Sequence, residues 1–372
     1  MSPTPSRRLT ARDVAAEVGV SAKTVANAFS RPDQLSAALR QRILATAARL
    51  GYAGPDPVAA GLRRGRVGAF GVAYANRLSY AFDDPVAREL LAGMTSVAES
   101  AGTGLLLLPG SSDPQRRAAA VSGAVIDGLV ASSLADDDPL LATAVARRLP
   151  LVVVDQPGPA ALDRLAPGIP WVGIDDRPAA AEVADHLLGL GHRRLAVVSF
   201  GIRRNPTRGL VDVAEQEGAT YAVSRARLAG YRDAARRGGL DWSRIPVHQG
   251  TDSTPEEGEA GAAAVLALDP RPTALLCLSD RLAEGALRAA RGLGLRVPDD
   301  LSVVGFDDAE PTAAALDLTT VRQPKRAKGE HAASALLALL ADPGSAVPRR
   351  PLPTELVVRG STSVPPTRSS TR

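Results

Sequence analysis

Aromatic side chains make up only 3% of this 372-residue chain, so its interior has to be built from alanine, valine and leucine. A single cysteine, Cys277, excludes an intrachain disulfide. It lies in the apolar run 273–278, where a free thiol reads as a small packing hydrophobe rather than a reactive group. The first twelve residues are polar, with Pro3, Pro5, Arg7 and Arg8, and hold no apolar core of a secretory signal. No stretch approaches the roughly 18 uninterrupted apolar residues that a membrane helix needs, so the expected location is the cytoplasm. The four histidines, His186, His192, His248 and His331, show no metal-ligand spacing to one another or to the cysteine. His186 and His192 fall around Gly189-Leu-Gly191, read as a helix end, where a cation suits the helix dipole. Also missing are a Gly-x-Ser-x-Gly elbow, a phosphate loop ending Gly-Lys-Ser/Thr and a Cys-x-x-Cys pair. These absences argue against an enzyme, and no cofactor or metal is expected.

What is present is an ordinary globular balance, 45% hydrophobic and 23% charged, in a chain long enough for two or three domains. The charge is unevenly placed. Residues 1–66 carry eleven Lys and Arg against four Asp and Glu, an excess of seven. The whole chain is +4, which leaves residues 67–372 at −3. A basic head on a mildly acidic body fits a polyanion partner for the head, or simply a solvated basic surface.

The head reads as three short helices. Thr10-Ala-Arg-Asp13 has the form of a capping box opening a helix over 10–17, with Val14, Ala15 and Val18 inward. Gly19 permits a tight turn. Ser21 can cap a second helix over 22–29, with Val25 and Phe29 buried. Ser36 can cap a third over 37–50, where Leu39, Ile43, Leu44, Ala47 and Leu50 recur at helical spacing and Gly51 supplies the stop. Helix, glycine turn, helix is the helix-turn-helix plan, whose second helix enters the DNA major groove.

The segment 9–29 resembles the DNA-binding signature of the lactose-repressor (LacI/GalR) family. It matches at Asp13-Val14-Ala15, Gly19-Val20-Ser21 and Thr24-Val25, and departs at Ala26, Asn27 and Phe29. The resemblance implies that Ala22 and Lys23 are the main base readers. Lys23 can donate to guanine O6 or N7, and Ala22 can only make an apolar contact. Asn27 can read adenine or bind a phosphate. Thr10, Ser21 and Thr24 complete the expected DNA-facing set, where Ser21 and Thr24 either touch phosphate or cap and pack.

Residues 53–66 follow as a candidate hinge. Pro57 suits a first helical turn, and Val58, Ala59 and Leu62 share one face, but so short a helix is marginal alone in water. The family resemblance implies that it folds on the operator beside its twin from a second subunit, with a leucine wedged into the central base step. Leu62 sits at that position, beside Ala59; the plainer reading is a linker leucine packed on its own domain.

From residue 67 short apolar runs alternate with helical stretches. Strands are expected at 67–73, 104–108, 128–131, 151–154, 171–174, 195–199, 273–278, 301–306 and 355–358. Helices are expected near 85–101, 114–123, 138–149, 178–190, 224–237, 256–268, 281–292 and 326–341. This rhythm means parallel sheets covered on both faces, and some 290 residues call for two doubly wound subdomains. Ligands of such sheets bind beyond the strands' carboxyl ends. The segments 172–176, 186–196, 227–231, 302–308 and 318–323 also resemble the family. They imply a fold like that of periplasmic sugar-binding proteins, with crossovers near 175, 308 and 322. The expected division is therefore 1–52 helix-turn-helix, 53–66 hinge and 67–360 effector-binding and dimerisation domain. The latter splits into an N-subdomain (67–175 and 308–322) and a C-subdomain (176–307 and 323–360), with 361–372 a disordered tail. The stretch 201–222 is longer than the usual connection.

The resemblance implies effector contacts from Arg227, Asp307 and Asp155, with Ser279-Asp280 where many relatives have Asn-Asp. The fork of Arg and the two acceptor oxygens of Asp suit a polyol or a heterocycle. The alternative is that Asp155 and Asp307 cap helices or pair with nearby arginines. Tyr74, Tyr80 and Phe82 either stack on a ring or pack. The resemblance thus implies a transcriptional regulator, a repressor, that binds a palindromic operator in double-stranded DNA as a homodimer. A small-molecule effector, a sugar first and a nucleoside or purine second, modulates it. A sugar-binding protein without DNA binding and an enzyme are the other classes.

Overall fold

The computed structural model describes residues 9–55, 66–75 and 77–366. The chain divides between Gly68 and Ala69 into two compact units.

In the first unit, α1 (Ala11–Val18), α2 (Ala22–Ser30) and α3 (Ala37–Leu50) close on a small core of Val14, Ala15, Val25, Ala28, Ile43 and Ala47. Each helix begins on a side-chain cap. Asp13 accepts from the Thr10 amide at 2.8 Å and from its hydroxyl at 2.7 Å. Ser21 Oγ accepts from the Thr24 amide at 3.0 Å, and Ser36 Oγ from the Leu39 amide at 3.4 Å. Gly19, at φ 76°, makes the turn between α1 and α2, a backbone conformation that costs most residues free energy. Ala28, not Phe29, fills the centre. Phe29 is half-buried and meets Tyr52 edge-on, with centroids 5.8 Å apart.

The second unit opens with β1 (Ala69–Tyr74), α4 (Leu78–Asp83), α5 (Pro85–Ser100), β2 (Gly104–Leu107), α6 (Pro114–Gly123), β3 (Leu129–Ser132), α7 (Pro139–Ala146), β4 (Leu151–Val154), α8 (Pro159–Leu165) and β5 (Trp171–Ile174). The chain then crosses to α9 (Asp176–Gly189), β6 (Leu195–Ser199), β7 (Gly209–Leu210), α10 (Val213–Glu217), α11 (Ala222–Arg237), β8 (Val247–Gln249), α12 (Pro255–Leu266), β9 (Ala274–Cys277), α13 (Asp280–Gly292), β10 (Ser302–Val304), α14 (Thr312–Ala315) and β11 (Thr320–Arg322). It returns through α15 (Lys325–Ala341) and β12 (Arg350–Leu352) and ends on β13 (Glu355–Val357). The first sheet runs β12-β5-β4-β3-β1-β2, all parallel. The second runs β10-β9-β6-β8-β7, parallel but for β7.

The late crossovers differ from the sequence reading, which gave 308–322 to the first subdomain and 323–360 to the second. Residues 308–322 stay with the second sheet, because parallel bridges Val304↔Thr319 and Asp307↔Arg322 extend its β10 edge. Residues 325–352 return to the first: β12 pairs with β5, and α15 crosses α5 where both helices carry glycine. A Cβ on Gly93 would stand 2.1 Å from the Arg326 carbonyl, and one on Gly329 would stand 2.0 Å from that of Leu90. Only glycines let the two backbones approach so closely.

Three further expectations are corrected or sharpened. Residues 361–363 are not a loose tail: Ser361 is buried and its hydroxyl donates to the Val303 carbonyl at 2.7 Å, while the Ser363 amide donates to Ser302 Oγ at 3.0 Å. Residues 367–372 lie outside the described residues. His192 is not a cation at a helix end but a fully buried ring between Thr273 Oγ1 (2.9 Å) and Ser302 Oγ (3.0 Å), and burial holds its pKa below the ordinary histidine range. Cys277 is buried on β9, and burial pushes its thiol well above the usual range.

Candidate nucleic-acid interface and ligand cleft

At the start of α2 the sequence-expected readers occupy different environments. Lys23 is exposed on the first turn, while Ala22 is half-buried against the helical core. Ser21 Oγ and Thr24 Oγ1 are 2.8 Å apart, so their hydroxyls serve the cap and each other. Thr10 is likewise engaged by Asp13. The Asn27 amide donates to Gln34 Oε1 at 3.2 Å, a bond it must give up to reach a base. Arg42 and Arg49 are tied within the unit, to the Val18 carbonyl at 2.9 Å and to Glu17 at 2.6 Å. Ala59 and Leu62, the expected hinge wedge, lie outside the described residues.

In the second unit the carboxyl ends of both sheets face a cavity of about 220 Å³. Its wall includes all four residues expected to meet an effector, Asp155, Arg227, Ser279 and Asp307, and also Tyr74 and Tyr80. Phe82 is exposed and is not among the lining residues.

The four expected residues carry internal partners. Asp155 directly follows β4, and its two carboxylate oxygens accept from Lys328 of α15, at 2.8 and 2.7 Å. Lys328 is 1% exposed, and such a charge is tolerable in the interior only when matched. Arg227 of α11 donates to Asp176 at 2.8 Å and to the Leu278 carbonyl at 2.5 Å, and its guanidinium lies 3.5 Å above the Phe306 ring. Asp307 stands 3.5 Å from Arg227 and accepts from Gln323 at 2.6 Å. Burial nevertheless pushes the Asp307 carboxyl up to about 7, helped by the carboxylates of Asp280 and Asp84, while Arg227 opposes the rise. Ser279 caps α13 and sits 2.8 Å from Ser253 Oγ. Lys325 donates to the carbonyls of Asp307 and Asp308, at 2.9 and 2.8 Å, and so ties α15 to the strand end of the other subdomain.

Backbone strain gathers at this cleft. Asp155 (φ 60°), Asp307 (φ 123°) and Asp308 (φ 49°) all take positive φ without being glycine. Such conformations persist where surrounding contacts over-determine them.

Sequence reasoning left out several lining residues: Asp84, Gln156, Phe200, Arg203 and Asp252. Tyr74 was left undecided between stacking and packing. Its hydroxyl is buried at the end of β1 and has no hydrogen-bond partner among the described residues. A signal was available for Tyr74, Gln156, Phe200 and Arg203, which follow the ends of expected strands, but not for Asp84 or for Asp252, whose strand β8 was not expected. No group of three or more metal-ligating side chains occurs among the described residues, and no described helix is long and apolar enough to cross a membrane.

Residues 10–54 match the family description "Bacterial regulatory proteins, lacI family", and residues 184–362 match a periplasmic binding protein-like domain. An HTH-type transcriptional regulator of Mycobacterium tuberculosis is 45% identical over 369 residues, 98% of this chain and 100% of the relative. The chain belongs to the lacI family. Among solved structures, the Lac repressor dimer bound to operator and the anti-inducer ONPF superposes with a TM-score of 0.76 at 26% identity, over 96% of this chain and 100% of that one. The transcriptional regulator CelR in complex with cellobiose gives 0.67 at 26% identity, over 95% and 100%. This lacI-family chain is thus a transcriptional regulator with a DNA-binding helix-turn-helix and a ligand-binding domain of two parallel-sheet subdomains, and its relatives are named as regulators rather than enzymes.

Proposed function

We propose that the protein is a repressor that binds a two-fold-symmetric operator as a homodimer and changes its operator affinity when a small effector occupies the cleft. The observation that carries the reading is one chain holding both an exposed Lys23 on the first turn of a capped helix and a cleft lined by aspartates, serines and tyrosines. In this reading Lys23, Ala22 and Asn27 face base edges, Thr10, Ser21 and Thr24 face the backbone, and Ala59 and Leu62 supply the wedge. Asp155, Arg227, Ser279 and Asp307 frame the effector. A sugar is favoured over a nucleoside or purine, since hydroxyls match a wall rich in carboxylates and hydroxyls and CelR is described with cellobiose. Coupling of this kind is worth about 1–3 kcal/mol and is reciprocal.

Selection of random duplex DNA by full-length protein tests the reading. A two-fold-symmetric consensus with strong salt dependence is expected. Repeating the selection with Lys23→Ala should relax preference at one base pair per half-site by about 1–3 kcal/mol. An asymmetric consensus, or equal weakening on every sequence, would count against it.

A further inference from the structure

The connection 201–222 is a closed loop rather than a loose insertion. Its neck is tied where the Thr220 and Tyr221 amides donate to the Ile202 carbonyl at 3.0 and 3.3 Å. Gln249, at the end of β8, holds it from inside: its Oε1 accepts from the Ile202 amide at 3.3 Å and its amide donates to the Thr207 carbonyl at 2.9 Å. Asp212 and Glu215 form a capping box on α10, and Gln216 of α10 accepts from Trp242 at 2.9 Å. Ile202, Val211 and Ala219 are buried in the second subdomain's core. The loop therefore moves with that subdomain.

The loop of the first subdomain opposite it, 134–138, is equally fixed. Asp138 caps α7 and is paired with the buried Arg117. Between these two rigid bodies, however, the links are few and partly exposed. Arg225 reaches Asp136 at 2.9 Å, Arg204 pairs with Asp137, and the Asp136 amide donates to the Thr220 carbonyl at 3.0 Å. The Val223 amide donates to Gln156 Oε1 at 3.0 Å. The same loop presents Arg203 and Pro206 to the cavity. On another part of the rim, Tyr80 donates to the Ser253 carbonyl at 3.2 Å.

We propose that Asp136 and Asp137, with Arg225 and Arg204 and the loop that carries them, form an electrostatic clasp that holds the ligand cleft closed. Rigid bodies joined by a few partly exposed ion pairs part there first, because such a pair contributes little where water reaches it and salt weakens it further. The covalent crossovers behind the cleft stay intact while the clasp opens, so it sets the rate at which a ligand enters and leaves.

Native-state amide hydrogen exchange of the full-length protein, without ligand or DNA, tests this and stands apart from any effector reading. In Asp136→Asn/Asp137→Asn the amides of Asp136 and Val223 should exchange about five- to ten-fold faster than in the parent chain. High salt should speed the parent and leave the variant unchanged. Exchange in β3 and β4 should be equal in both, which shows that the variant is folded. If the double variant does not fold, Arg204→Gln serves in its place, with a smaller change at the same amides. Unchanged exchange at Asp136 and Val223, or a parent insensitive to salt there, would overturn the clasp.

Discussion

At the scale of single residues, the cleft is a set of charges answered one by one, and Asp307 is one whose partners do not outweigh its burial. Its neighbour Arg227 is committed to Asp176 at 2.8 Å, and burial keeps the Asp307 carboxyl up to about 7. A carboxyl with a raised folded-state pKa binds its proton more tightly folded than unfolded. Folding is then favoured at low pH, and that advantage is lost as pH rises from the ordinary carboxylate range through about 7. Asp307→Asn, which resembles the protonated form, should exceed the parent in stability by more at pH 8 than at pH 5. Urea unfolding at the two pH values measures this. A variant less stable than the parent at pH 8 would mean that the ionised form, paired with Arg227, is the stabilising one. The motif 302–308 made Asp307 an expected effector contact, and it lines the cleft. The motif gave no sign that Gln323 would donate to that carboxyl or Lys325 to the Asp307 carbonyl, because both lie where the chain crosses back to the other subdomain.

At the scale of elements, helix contacts replace the missing aromatics. With 3% aromatic residues the chain gains packing by close backbone approach, and the crossing of α5 over α15 at Gly93 and Gly329 is the clearest instance. Gly329→Ala puts a methyl 2.0 Å from the Leu90 carbonyl, so the helices must part. A destabilisation of about 1–3 kcal/mol is expected, larger than the gain in helix propensity from replacing glycine. Thermal unfolding read by circular dichroism checks it, and an unchanged or raised midpoint would show that α15 can slide. The elements with strong period were legible: the three capped helices of the head, and buried strands such as 151–154 and 195–199. The short ones were not. β7, β8 and β12 hold two or three residues each, too few to show alternation, and their pairing is decided by distant partners. The second crossover was misread for the same reason: whether 320–322 joins one sheet or the other depends on hydrogen bonds to residues 304 and 307, which no local pattern encodes.

At the scale of the whole molecule, two units of very different size share one chain. The first closes on a core of a few side chains, the second on clusters spanning both sheets. Small domains bury a lower fraction of their surface and are correspondingly marginal. Calorimetry of the free protein should therefore show two transitions, the head first. An effector stabilises only the unit that binds it. At about 100 times its dissociation constant it adds about 2.7 kcal/mol, which raises the upper transition by several degrees and leaves the lower one in place. Operator DNA should do the reverse at first order, lifting the head. Any movement of the upper transition by operator then measures the free energy that links reading to ligand binding, and by reciprocity effector and operator must shift each other's affinity by the same factor. A single transition that moves with either ligand would mean that the two units fold as one cooperative body, and that the division at Gly68 and Ala69 is one of contacts alone.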